Sequence, residues 1–140
     1  MGLKKFVAFI CVLSVLFVCS VSSFAAAGGT GLNGNESLYR GKSLHSNDHR
    51  YIFIMQNDGN LVLYKGNKAL WASGTNGVAV EKCIMQNDGN LVLYTYAGKA
   101  VWSSKTNGNP GAVLRVQNDG NVVIYLGRKA IWSTGTYERN

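Results

Sequence analysis

The ten residues Met55-Gln-Asn-Asp-Gly-Asn-Leu-Val-Leu-Tyr64 return unchanged as Met85 to Tyr94, and a third copy with three apolar exchanges is Val116-Gln-Asn-Asp-Gly-Asn-Val-Val-Ile-Tyr125. The glutamines stand at 56, 86 and 117 and the tryptophans that follow them at 71, 102 and 132. This sets a period of about thirty residues. Each copy runs on into a second signature, Lys68-Ala-Leu-Trp-Ala-Ser73, Lys99-Ala-Val-Trp-Ser-Ser104 and Lys129-Ala-Ile-Trp-Ser-Thr134. The units span about 36–76, 77–107 and 108–136. A unit this short cannot bury an apolar face by itself, so the copies must share one core.

Within a unit the pattern is β throughout. Tyr51-Ile-Phe-Ile-Met-Gln56 and Asn60-Leu-Val-Leu-Tyr64 are short, β-branched or aromatic, and bounded by turn residues. Asn57-Asp-Gly59 between them is a hairpin signal, because Gly takes a positive φ without penalty and Asp tolerates one. Alternation along the outgoing strand puts Leu61 and Leu63 on the core face and Asn60, Val62 and Tyr64 on the other. With 17 Gly, 14 Asn and one Pro in 140 residues there are turns enough for about four short strands per unit. The expected fold is all-β: three four-stranded antiparallel sheets with an internal pseudo-threefold axis, and Trp71, Trp102 and Trp132 in a common core. A trefoil or a propeller fragment fits less well, since both use repeats of about forty residues.

The outward face of each hairpin collects chemistry. Gln56 ends the incoming strand and Asp58 sits in the turn, so both can converge on Asn60 and Tyr64 in a small polar pocket. Turn formation alone accounts for Asp58 and Gly59, but leaves Gln56 and Tyr64 unexplained. A calcium loop needs more than one carboxylate per turn, and no distal Glu follows, so no metal or other cofactor is expected. An enzyme is not expected either. His45 and His49 fall in a polar turn outside the repeated motif, and Asp58, Asp88 and Asp119 come one per unit, without the paired carboxylates of a glycosidase.

The N-terminus reads as a secretory signal over residues 1–27: Lys4 and Lys5, an apolar stretch from Phe6 to Phe24, then Ala25, Ala26 and Ala27, with cleavage between Ala25 and Ala27. The protein is accordingly expected outside the cell, as a single domain over 28–140. Removing the signal takes Cys11 and Cys19 with it and leaves Cys83 alone, buried or paired between chains. It also leaves 12 Lys+Arg against 7 Asp+Glu, spread singly over turns rather than gathered in a stripe, which argues against a nucleic-acid partner. Asn35-Glu36-Ser37 is a glycosylation sequon if the source is a eukaryote.

The thrice-repeated Gln-x-Asp-x-Asn-x-Val-x-Tyr, each copy followed by its Trp segment, closely resembles the signature of the bulb-type (monocot mannose-binding) lectins. The resemblance covers about 36–136, and Leu38-Tyr39-Arg-Gly-Lys-Ser-Leu44 looks like the family's first strand. It implies a β-prism II with a shallow mannose site on each sheet. Asp58 and Asn60 would meet the axial 2-hydroxyl, Gln56 the 3-hydroxyl and Tyr64 the 4-hydroxyl, with Val62 against the ring carbons. The same roles would fall on Gln86, Asp88, Asn90, Val92 and Tyr94, and on Gln117, Asp119, Asn121, Val123 and Tyr125. A sugar with an equatorial 2-hydroxyl would leave the Asp/Asn pair unsatisfied at about 1–3 kcal/mol. One site should bind at roughly millimolar concentration, so useful affinity would come from several sites together. The implied partners are mannose and mannose-rich glycans or glycoproteins, without stable membrane insertion. A homodimer or higher oligomer through exchange of the stretch 131–137 is an option the resemblance opens. The family's internal disulfide cannot form, because Gly59, Gly89 and Gly120 stand where one of its cysteines would be. The alternative is a β-prism that binds protein or acts on membranes without strong sugar binding.

Overall fold

The computed structural model describes residues 28–139, so the leader assigned to 1–27 lies outside the described residues. In chain order the strands are β1 (Gly31–Leu32), β2 (Ser37–Tyr39), β3 (Ser43–His45), β4 (Tyr51–Met55), β5 (Leu61–Lys65) and β6 (Lys68–Ala72). They continue as β7 (Val80–Met85), β8 (Leu91–Thr95), β9 (Ala100–Ser103), β10 (Val113–Val116), β11 (Val122–Leu126) and β12 (Lys129–Ser133). All pairings are antiparallel, in three four-stranded sheets ordered β3-β4-β5-β6, β2-β7-β8-β9 and β1-β10-β11-β12.

The strands are not shared out as four per repeat. Each repeat supplies a three-stranded meander, and the fourth strand of every sheet comes from the N-terminal stretch 31–45, whose β1, β2 and β3 go one to each sheet. The segment that resembled one first strand, 38–44, is thus parts of two strands in two different sheets, and the symmetric body begins at β1, before residue 36. The reason is a leucine every six residues. Leu32, Leu38 and Leu44 are at most 1 % exposed, one on each N-terminal strand, so each short strand is held by one core side chain as well as by its ladder.

The inward faces of the sheets meet in one core that includes Phe53, Met55, Leu61, Leu63, Met85, Leu91, Leu93, Leu114 and Ile124. Trp71, Trp102 and Trp132 pack against it, from equivalent positions on β6, β9 and β12. Their rings meet pairwise with centroids 5.5, 5.7 and 5.8 Å apart and near-perpendicular planes, the edge-to-face arrangement that aromatic quadrupoles favour. Cys83 lies in the core between Leu38 and Leu93 on the neighbouring strands, fully buried and unpaired. Burial pushes its thiol far up from the ordinary range, so it stays protonated and inert.

Candidate functional site

The hairpin turn is built by its own side chains. The N–H of Gln56 donates to the carbonyl of Asn60 (2.9 Å) and that of Gly59 to the carbonyl of Gln56 (3.1 Å), while the N–H of Asn60 donates to Asp58 Oδ1 (2.9 Å). The same three bonds recur at 86–90 and at 117–121. Gly59, Gly89 and Gly120 all have φ between 87° and 91°. A Cβ on Gly59 would sit 2.0 Å from the carbonyl oxygen of Val78, and one on Gly89 2.1 Å from that of Asn109. The turn therefore requires glycine where the resemblance implied a cysteine, and the fold closes without that disulfide.

Beyond the turn, the strand alternation holds. Leu61 and Leu63 are fully buried, whereas Asn60 and Tyr64 are half-buried on the outer face. Each sheet breaks its register at the motif tyrosine, between Leu63 and Tyr64, Leu93 and Tyr94, and Ile124 and Tyr125. A bulge there bends the strand and re-aims the tyrosine. The phenol meets the glutamine across the hairpin: Gln56 Nε2 donates to Tyr64 Oη (2.5 Å), Tyr94 Oη donates to Gln86 Oε1 (2.5 Å), and Tyr125 Oη donates to Gln117 Oε1. In the second and third copies the amide nitrogen then reaches the carboxylate, with Gln86 Nε2 at 3.2 Å from both oxygens of Asp88 and Gln117 Nε2 at 3.1 Å from both of Asp119. In the first copy the amide is turned end for end, with its nitrogen toward the phenol. The structure thus brings Gln, Asp, Asn and Tyr together on one patch three times over. Val62, Val92 and Val123 lie beneath it, each 3 % exposed and outside the central core.

The asparagine has a second duty that its place in the motif did not suggest. Asn60 Oδ1 accepts from Ser73 Oγ (3.2 Å) and from the N–H groups of Gly74 (3.0 Å) and Thr75 (3.2 Å). Thr75 Oγ1 in turn donates to the carbonyl of Gly59 (2.6 Å) and meets Ser73 Oγ at 2.7 Å. Ser104 and Thr106 latch Asn90 in this way, and Thr134 and Thr136 latch Asn121. With its oxygen committed, each asparagine presents its Nδ2 outward, with no hydrogen-bond partner among the described residues. These Ser/Thr pairs position the site without belonging to it. Their sequence signal was present, since Ser/Thr-x-Thr recurs with the same period just after each Trp.

The three patches differ in what borders them. The strand preceding each motif adds Ile52 and Ile54 in the first, Lys82 and Ile84 in the second, and Val113 and Arg115 in the third. A groove of about 300 Å³ leaves the Gln56–Tyr64 pair toward Gly66 and Asn67, and one of about 510 Å³ leaves the Gln86–Tyr94 pair toward Thr95 and Tyr96.

The turn carrying His45 and His49 lies between β3 and β4 and is more than a solvated loop. Ser46 is fully buried, and its Oγ donates to Asp48 Oδ1 (2.8 Å) and accepts from the N–H of Tyr51 (3.1 Å). The N–H of Asp48 donates to Asn118 Oδ1 (2.9 Å) and Arg50 Nη2 to the carbonyl of Asn118 (2.7 Å), which ties the first repeat to the third. The Arg50 guanidinium, 2.7 Å away, holds the Asp48 carboxyl at about 2. His45 Nε2 lies 3.1 Å from Ser43 Oγ, and neither histidine joins a motif patch.

No family model matches the chain. A mannose-specific lectin of Narcissus pseudonarcissus is 49% identical over 45 residues, 29% of this chain and 41% of that one. The chain spans less than half the length of the curated relatives it matches. Solved structures cover far more. A monomeric monocot mannose-binding lectin from Gastrodia elata is 48% identical with a TM-score of 0.72, over 79% of this chain and 100% of that one. The mannose-specific agglutinin from snowdrop, Galanthus nivalis, solved with methyl-α-D-mannoside, is 42% identical with a TM-score of 0.65, over 79% of this chain and 99% of that one.

Proposed function

The chain belongs to the bulb-type (monocot mannose-binding) lectin family, and from that premise we propose that it is an exported lectin with three working mannose sites. The observation that carries this is the threefold recurrence of one polar constellation. Each has a Gln–Tyr pair joined across the hairpin, an exposed carboxylate beside it, and an asparagine amide facing outward because its oxygen is held from behind.

Such a patch suits a neutral sugar. The carboxylate accepts from a hydroxyl, the Asn Nδ2 donates to it, and the Gln and Tyr can each do either. Asp58 and Asn60 take the axial 2-hydroxyl, Gln56 the 3-hydroxyl and Tyr64 the 4-hydroxyl, with the ring carbons over Val62. The second and third sites repeat these roles at Gln86, Asp88, Asn90, Val92 and Tyr94 and at Gln117, Asp119, Asn121, Val123 and Tyr125. An equatorial 2-hydroxyl points away from the Asp/Asn pair, so glucose loses contacts that mannose keeps. The donors are preset by the turn, the bulge and the Ser/Thr latch, which limits the ordering that binding must impose. Even so, about five hydrogen bonds near 1 kcal/mol each leave one site weak, and several sites acting together supply the strength. The leader over 1–27 is consistent with export.

The test is binding of methyl α-mannoside and methyl α-glucoside to the chain from residue 28, followed by calorimetry and NMR. The expected outcome is saturable binding of the mannoside, at least about tenfold tighter than the glucoside, and lost when Tyr64, Tyr94 and Tyr125 are all replaced by Phe. A folded protein that binds neither sugar, nor any mannose-bearing glycan on an array, would overturn the reading.

A further inference from the structure

The second repeat is one residue longer than the others where it turns from its motif tyrosine toward its tryptophan. Tyr64 pairs with Ala69 and Tyr125 with Ala130, but Tyr94 pairs with Ala100. The additional residue converts a tight turn into a wider one. The N–H of Gly98 donates to the carbonyl of Thr95 and that of Thr95 to the carbonyl of Lys99, both at 2.9 Å. The widened turn carries Tyr96, a large apolar side chain 63% exposed.

Tyr96 is held from behind rather than left loose. The Arg40 guanidinium lies 5.5 Å from its ring centroid, and Arg40 is itself anchored by Nε to the carbonyl of Val80 (2.8 Å) and by Nη2 to that of Val78 (3.3 Å). A ring backed by a fixed cation loses little freedom when something stacks on it. Tyr96 also lines the same groove of about 510 Å³ that contains Gln86 and Tyr94, with Asn35 and Lys82 as further polar wall. At the corresponding place in the first repeat's groove stand only Gly66 and Asn67.

Resting on the sugar reading above, we propose that the second site holds two linked pyranoses, a terminal mannose at Gln86 and Tyr94 and the adjoining sugar stacked on Tyr96. The apolar C–H face of a pyranose fits an aromatic ring, and the hydroxyls at its rim fall within reach of polar wall groups. The second site would then choose among linkages, while the first reads only the terminal residue.

The test uses the chain with Tyr64→Phe and Tyr125→Phe, which leaves the second site alone, titrated with methyl α-mannoside and with the α1→2, α1→3 and α1→6 mannobioses. At least one mannobiose should bind about five- to tenfold more tightly than methyl α-mannoside. Tyr96→Ala should bring that ratio to within about twofold with methyl α-mannoside binding retained, and Tyr96→Trp should restore it. Equal affinity for all four sugars, or a preference that survives Tyr96→Ala, overturns the subsite. Loss of methyl α-mannoside binding in the double variant but not in the parent chain also overturns it. Failure of the parent chain to bind methyl α-mannoside overturns the sugar reading and this inference with it.

Discussion

At single residues, backbone geometry and an outward polar patch are interleaved in one motif. Gly59 supplies φ +91° at a point where a Cβ would strike a backbone oxygen, whereas Gly66, φ +57°, has nothing within 4 Å. Gly59→Ala should therefore destabilise the protein by about 2–4 kcal/mol in urea denaturation, against about 1 kcal/mol for Gly66→Ala. Equal losses at the two positions would refute the close-approach argument. The glycine's turn role, the inward leucines and the outward Asn, Val and Tyr were all legible in the sequence, because period-two alternation and Asp-Gly turns are local signals. The double duty of Asn60 was not. Its oxygen is bound by Ser73, Gly74 and Thr75, and only the return of the chain after Trp71 brings those groups within reach.

Among the elements, the least legible were the shortest. β1 and β2 have two and three residues, too few to show a period, and each pairs with a strand far along the chain. Even assignment of four strands to each repeat was the natural reading of evenly spaced turns, and long-range pairing overrode it. The β3–β4 turn is the other element whose order comes from a distant partner, here the third hairpin. Its Asp48 has a depressed carboxyl in the fold, so its contribution is full above the unfolded value near 4 and is lost as pH falls toward 2. Asp48→Asn should lower the melting temperature at pH 6, and the gap to the unmodified protein should close by about pH 2. A gap that stays constant over that range would show that the carboxylate's charge is not what holds the turn.

For the molecule as a whole, threefold arrangement decides what multivalency can do. The sheets surround one axis marked by the tryptophans, so their outer faces, and the three motif patches on them, look in different directions. One flat surface cannot face all three at once, so on the proposed function the avidity expected from the sequence would take the form of cross-linking between separate glycan chains. The unmodified protein should aggregate mannan in light scattering, while the Tyr64→Phe, Tyr125→Phe double variant should bind mannan without aggregating it. Equal aggregation by the two would place the cross-linking in protein self-association.

The borrowed fourth strands also set a timetable. Each meander pairs only neighbours in sequence, so its ladder is local and quick to form, although its apolar face is covered only when the three meanders share their core. β1 must wait for β10, with Gly31 opposite Arg115, so the first strand made is among the last to find its place. During synthesis on the ribosome the stretch from 31 to 45 would leave before the repeats, and β1 would stay unpaired until the third repeat emerges. The N-terminal segment thus ties completion of the fold to the far end of the chain: a chain cut short before residue 113 lacks β10, and with it the partner of β1 and the core place of Leu32.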